Sequence, residues 1–190
     1  MSYLINQIFW CLLLAFLLGF LLGWLLRHFA CKSAMAELEK RIAESRPAPK
    51  IPAFHIEEIE GIGKGFGRRL REIGIKDTAQ LLTGSLTEED RNKISQAVDG
   101  LDDQTIRAWA TMADLLRIPG IGGQWAELLW RCDVASVQSL ARQRTPELLA
   151  RMAEVNDREH RVQELPGERR VEHWIAEAKL APAILPERWE

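Results

Sequence analysis

Residues 59–63 read Ile-Glu-Gly-Ile-Gly, and the pattern returns at residues 118–122 as Ile-Pro-Gly-Ile-Gly, 59 positions farther along the chain. The same offset aligns further residues of similar character: Phe66 with Trp125, Leu70 with Leu129, Ile75 with Val134 and Leu81 with Leu140. Toward the end of each copy the offset grows to 65, which aligns Trp109 with Trp174. Self-similarity at a fixed spacing indicates repeated supersecondary units. We therefore expect two tandem units, at residues 54–114 and 115–182.

Each unit is predicted to consist of helices, so the expected fold class is all-α. No stretch shows the sustained alternation of apolar and polar residues that indicates a strand. Four polar side chains stand where the N-cap of a helix is expected: Asp77, Thr87, Ser136 and Thr145. The Gly-Ile-Gly segments would join two helices within a few residues, which requires positive φ and close backbone approach. The isoleucine between the glycines should point into the core.

An aliphatic residue, then Glu or Pro, then Gly-Ile-Gly and a leucine one to two turns later resembles the helix-hairpin-helix motif. Residues 54–182 as a whole resemble a bacterial family of unknown function built from such units. Some members of that family are labelled by analogy with the DNA-binding segments of flap endonucleases. The resemblance implies that a hairpin binds a nucleic-acid phosphate, because backbone N–H groups and the helix dipole favour an anion there. It implies phosphate positioning and no base readout.

The two hairpins differ in the residues that such binding requires. The first is rich in glycine and is followed at once by basic side chains, so its candidate phosphate site comprises Gly61, Ile62, Gly63, Lys64, Gly65, Arg68 and Arg69. The second has no basic residue before Arg131. Its hairpin and tryptophans are therefore expected to serve packing or a protein contact: Gly120, Ile121, Gly122, Trp125 and Trp130. A purely structural use of the first hairpin stays open.

An uncharged N-terminal segment precedes the repeat. Residues 8–26 form an unbroken apolar run of 19 residues, and a helix of that length crosses a hydrocarbon core of roughly 30 Å. A cleaved signal peptide normally begins with basic residues, and residues 2–7 contain none. Residues 1–26 are thus predicted to be a transmembrane anchor. Basic residues follow the run, so a single-pass topology in the cytoplasmic membrane is expected, with the C-terminal domain facing the cytoplasm.

The anchor and the segment after it carry possible association surfaces. Ala15, Gly19 and Gly23 form a stripe of small residues, which allows two membrane helices to approach closely. Residues 27–46 are expected to be a stalk helix, either single or paired through a short apolar seam. The prolines of residues 47–53 predict an extended linker, and residues 183–190 are left as a tail. Expected partners here are membrane lipid and a second copy or another membrane protein.

The charge balance and the motifs limit the classes of function that this chain is expected to have. Residues 51–190 contain 19 Lys and Arg against 24 Asp and Glu, a formal charge of −5, which does not favour strong polyanion binding. The acidic clusters stand at predicted helix starts, where they offset the dipole, and the four histidines lack metal-ligand spacing. No cofactor or metal is predicted. The expected function is a non-enzymatic adaptor that recruits a cytoplasmic protein. The alternative is a membrane-tethered, sequence-nonspecific DNA or RNA binder acting through the first hairpin.

Overall fold

The computed structural model describes residues 10, 13, 16–20, 51–186 and 189. All regular structure within these residues is helical, which confirms the predicted all-α class. A 3-10 turn at Ile56–Glu58 comes first and is followed by eight α-helices. They are α1 (Lys64–Glu72), α2 (Thr78–Gly84), α3 (Glu88–Ala97), α4 (Asp103–Leu115), α5 (Gly123–Arg131), α6 (Val137–Ala141), α7 (Thr145–Glu159) and α8 (Glu168–Leu180).

The predicted anchor and stalk fall mostly outside the described residues. Trp10, Leu13 and Phe16–Phe20 are helical, and their large apolar side chains are exposed. Gly19 has open space at its Cβ position, whereas Ala15, Gly23 and the stalk are not described. Within the described residues, no helix combines the length and the apolar character needed to cross a bilayer.

Lys50–Glu190 forms one compact unit, and its helices repeat as the sequence does. Helices α1 and α5 begin and end 59 residues apart, and α4 and α8 begin and end 65 residues apart. Equivalent hydrogen bonds close the two hairpins: the N–H of Ile62 donates to Ile59 at 3.0 Å, and that of Ile121 donates to Ile118 at 3.1 Å. The same local pattern therefore produces the same backbone twice.

Polar side chains start several of these helices. The predicted caps Asp77, Thr87 and Ser136 each accept a hydrogen bond from the amide three residues later, which satisfies one free N–H of the first turn. The prediction for Thr145 was wrong by one position. Thr145 is the first residue of α7, Arg144 occupies the N-cap without a side-chain bond, and Pro146 lies in the first turn. A proline needs no N–H partner there.

Helix α4 is the shared centre of the fold. Every residue from 108 to 115 is buried, and the helix packs against α2, α3 and α5. A helix surrounded by apolar residues is expected to lie inside a core. Helix α4 leads directly into the second Gly-Ile-Gly segment, and the residues before and after it belong to one continuous hydrophobic core.

A buried ion pair at the end of α4 connects this helix to the start of α6 and to the segment after α8. Asp114 accepts from the N–H of Val137 at 2.8 Å and pairs with Arg117, whose guanidinium also donates to the Pro182 carbonyl at 2.9 Å. Thr78 is the counterpart of Val137 in the first repeat, and its N–H donates to the backbone carbonyl of Phe54 and not to a carboxylate. Burial raises the pKa of Asp114 above its ordinary value, while its hydrogen bond from Val137 and the charge of Arg117 act in the opposite direction.

The last residues do not stand apart from this core. Leu185 is buried, and the indole N–H of Trp189 donates to Thr111 of α4 at 3.2 Å. The Trp189 ring also lies against the guanidinium of Arg91, 4.9 Å from its centroid. Part of the segment expected to be a tail therefore packs on the first unit.

Candidate functional site

Both hairpins have the backbone that their glycines imply. Gly61 adopts φ +89° and Gly120 adopts φ +86°, a region that side chains other than hydrogen rarely tolerate. Ile62 and Ile121 are buried, so the residue between the glycines packs inward as expected. The following helices begin at Lys64 and Gly123, with Gly63 and Gly122 as N-caps that offer no side-chain hydrogen bond.

A tryptophan lies behind each hairpin. A Cβ built on Gly61 would lie 3.2 Å from the indole nitrogen of Trp109, and one on Gly120 would lie 3.3 Å from that of Trp174. Each indole also meets an aromatic residue of the next helix. Phe66 and Trp109 are edge to face with centroids 5.3 Å apart, and Trp125 and Trp174 are tilted at 5.8 Å. The glycines are therefore required both by φ and by space.

Of these supporting aromatics, Phe66, Trp109 and Trp174 were not among the predicted site residues. The repeat aligned Trp109 with Trp174, but their separation from the hairpins in sequence concealed the contact. Trp125, a candidate for a protein contact, is half-buried and occupied by Trp174. It packs beneath the second hairpin through this contact and also lines a surface pocket beside Asn156 and His160.

The basic residues of the first hairpin are only partly available. Arg69 donates to the Asp99 carbonyl at 2.6 Å, and its guanidinium carbon lies 4.5 Å from the centroid of the Phe66 ring. Arg71 is hydrogen-bonded to Glu57, and this bond lowers the pKa of that carboxyl. The exposed side chains of Lys64 and Arg68 form no ion pair with another described residue. Two cations remain free among the candidates that the structure describes.

The second hairpin presents no comparable helix start. A Cβ on Gly123 would lie closer than 3.0 Å to the backbone carbonyl oxygen of Glu58 and 3.7 Å from Cγ of Glu60. Glu58 and Glu60 thus exclude a side chain at Gly123, while Gly122 and Gln124 on either side remain exposed. Gly123 is the counterpart of Lys64 in the repeat, so the position that carries a free cation in one copy is closed by packing in the other.

A groove runs between α4 and α5 and ends at the first hairpin. Its volume is about 240 Å³. Its lining is as follows: Glu60 and Gly61 from the hairpin, Gln104, Thr105, Ala108, Trp109 and Met112 from α4, and Glu127, Trp130 and Arg131 from α5. The structure therefore brings together Gly61 from the first predicted site and Trp130 from the second. Trp130 is half-buried, with the Arg131 guanidinium 4.7 Å from its ring centroid.

The acidic clusters have local structural roles. Glu88, Glu89 and Asp90 occupy the first turn of α3, as their sequence position predicted. Asp102 caps α4, and Asp103 pairs with Arg91 at 2.7 Å and with Arg107 at 2.6 Å. Within the part of the chain that the structure describes, no group of three or more His, Cys, Asp or Glu side chains is arranged to hold a metal ion.

Residues 60–181 match a protein family described as a domain of unknown function, DUF4332. The matched span begins in the first hairpin and ends just after α8, so it covers most of both predicted units. No curated protein and no solved structure matches the chain significantly.

Proposed function

We propose a function for this chain, which belongs to the DUF4332 family of unknown function, from the chemistry of its two hairpins. Both Gly-Ile-Gly segments lie inside the matched span. The chain acts as a membrane-anchored, non-enzymatic adaptor. The two units form a tandem helix-hairpin-helix domain that recruits a cytoplasmic protein. The N-terminal segment is the single-pass anchor, inserted so that this domain faces the cytoplasm.

The observation that carries the proposal is that the first hairpin has few free cations, whereas the groove between α4 and α5 has apolar surface. The first hairpin offers two cations without an ion pair among the described residues, Lys64 and Arg68, beside the glutamates 57, 58 and 60, and the start of α5 carries no basic side chain. The groove between α4 and α5 instead presents the half-buried Trp130 above the buried Met112. Aromatic and methionine side chains are enriched at protein interfaces, whereas polyanion binding requires many free cations.

One observation favours the alternative nucleic-acid role. Gly63, Lys64 and Gly65 are exposed at the start of a nine-residue helix whose N-cap has no side-chain bond. A phosphate could accept from those amides. With two cations available, the slope of log affinity against log salt would be only about −2, and binding would be weak, in the range of about 10⁻⁴ to 10⁻⁶ M or above.

A co-isolation experiment separates the two roles. The full chain is crosslinked in cells, solubilised and purified with and without nuclease. The adaptor role expects a protein to be retained after nuclease treatment and lost from Trp130→Ala. Lys64→Glu combined with Arg68→Glu should leave that recovery unchanged, since both side chains are exposed. Recovery that depends on nucleic acid and on Lys64 and Arg68 would reverse the order of the two roles.

Direct binding provides the matching control. Fluorescence anisotropy of single- and double-stranded oligonucleotides is measured with the same variants at about 50 mM salt, where phosphate contacts are strong. Absence of binding there removes the nucleic-acid role. Binding that is lost only in the Lys64→Glu, Arg68→Glu variant would support it.

The anchor is proposed to self-associate through the small residues Ala15, Gly19 and Gly23. Close backbone approach at such a stripe favours helix pairing in lipid, and tethering would present two adaptor domains side by side. Gly19→Ile with Gly23→Ile should abolish crosslinking between anchors while membrane insertion persists. Leu17→Ile with Leu21→Ile, off the stripe, is the matched control. Unchanged crosslinking in the glycine variant would show that the stripe does not pair with itself.

A further inference from the structure

We infer that the groove between α4 and α5 binds a basic amphipathic helix, with an apolar side chain over Met112 and a Lys or Arg beside Glu60. This inference rests on the proposed adaptor role and names the chemistry of its partner. Three features of the groove support it: its size, its length along α4 and its charge.

The size of the groove suits a single anchoring side chain. At about 240 Å³ it is smaller than the roughly 300–1,000 Å³ typical of pockets for small molecules and cofactors. Its floor is apolar, because Ala108, Trp109 and Met112 are buried and line it from one side. Trp130 stands opposite on α5. One large apolar side chain therefore fits where a complete cofactor does not.

The length of the groove suits a helix. Gln104, Ala108 and Met112 follow one another at intervals of four residues along one face of α4, a distance of about 12 Å at 1.5 Å per residue. A helix lying in a groove of this kind contacts it through residues spaced by three or four positions. Gln104, exposed on the rim, is available for hydrogen bonds with such a partner.

The charge of the groove selects a basic partner. The exposed carboxylate of Glu60 has no ion pair among the described residues, whereas Glu127 of the same lining already pairs with Arg161 at 3.3 Å. The one cation of the lining, Arg131, lies within ion-pair distance of Glu127 at 3.6 Å and of Glu159 at 3.7 Å. Residues 51–190 together carry a formal charge of −5. A cation beside Glu60 is thus favoured, and a phosphate is opposed.

The test uses methionine methyl groups of the full chain as reporters. The protein is incorporated into phosphatidylcholine nanodiscs, which carry no net anionic lipid that would capture a basic peptide. The chain has four methionines: Met112 lies in the groove, and the fully buried Met152 on α7 serves as an internal reference. The probe is an amphipathic helical peptide of Leu and Lys. Its control is a Leu and Glu peptide with the same apolar spacing.

We expect the Leu and Lys peptide to shift the Met112 methyl resonance while Met152 is unaffected, and the Leu and Glu peptide to shift neither. Glu60→Lys should weaken binding at least tenfold. Glu154→Lys, an equal charge change at an exposed position of α7, should alter it less than twofold. Gln104→Trp, which fills the groove from its exposed rim, should also prevent binding without touching the core.

Three results would overturn the inference: no response of Met112 to the Leu and Lys peptide, an equal response to both peptides, or equal losses from Glu60→Lys and Glu154→Lys. Recruitment of the cellular partner is then compared in Gln104→Trp. Retained recruitment in that variant would refute the groove and leave the adaptor role intact. Absence of any nuclease-resistant partner of the wild-type chain would refute the adaptor role itself.

Discussion

The contact between the two hairpins makes Gly123→Ala the most informative single substitution. The new methyl group would lie closer than 3.0 Å to the carbonyl oxygen of Glu58, whereas carbon and its neighbours pack best at about 3.5–4.0 Å. The obstacle is backbone and cannot rotate away. Either the first hairpin or the start of α5 must therefore move by on the order of 1 Å.

The expected cost follows from two opposing effects. Overpacking of a well-packed site typically costs about 1–3 kcal/mol, while replacing glycine by alanine in a helix stabilises by up to about 1 kcal/mol. We expect a net loss of about 1–2 kcal/mol in the free energy of unfolding. Gly65→Ala is the matched control, because Gly65 lies in the first turn of α1 with open space at its Cβ position.

Urea unfolding of residues 50–190, followed by circular dichroism and tryptophan fluorescence, measures both variants. Gly65→Ala should be as stable as the wild type or more stable by up to about 1 kcal/mol. Gly123→Ala should unfold at lower urea with an unchanged slope, because the core is retained. If Gly123→Ala were as stable as Gly65→Ala, the two hairpins would not pack against each other as described.

Three further predictions follow from the same structure. Gly120→Ala should cost about 1–3 kcal/mol in urea unfolding, since it combines a positive φ with the nearby Trp174 nitrogen; a neutral effect would contradict the hairpin geometry. Because the pKa of Asp114 is raised in the folded protein, this carboxyl contributes most to stability when the pH is below its pKa in the unfolded chain. That contribution falls as the pH rises through the pKa in the folded protein. The stability advantage of the wild type over Asp114→Asn should therefore shrink as the pH rises above the ordinary Asp pKa of about 4, and a growing advantage would contradict it. Burial raises the pKa of Cys132 to about 11, so this thiol should resist maleimide on either side of a membrane. The cytoplasmic topology is better tested with Glu172→Cys, an exposed position on α8, in a chain otherwise without cysteine. This cysteine should react with maleimide only after the membrane is opened. Labelling in intact cells would contradict the predicted orientation.

The repeat, the helical class and the hairpin positions follow from sequence because their causes are local. A cap bonds an amide three residues away, and an α-helical bond spans four residues. Such signals recur wherever the residues recur, so α1 and α5 have the same length. The error at Thr145 has a local cause as well, since Pro146 allows the helix to begin one residue earlier than a capping threonine would set it.

Only the tertiary structure decided which site residues are available. Arg68 and Arg69 are neighbours in sequence, yet Arg69 is engaged by Asp99, 30 residues away, and Arg68 is free among the described residues. Gly123 follows a hairpin like the first one, but the Glu58 carbonyl leaves no room for a side chain at that position. Contacts of this kind depend on how α4 and α5 pack, and packing is a property of the whole core. The local pattern therefore determined two similar hairpin backbones and gave basic residues only to the first, whereas long-range packing decided which of those basic residues are engaged.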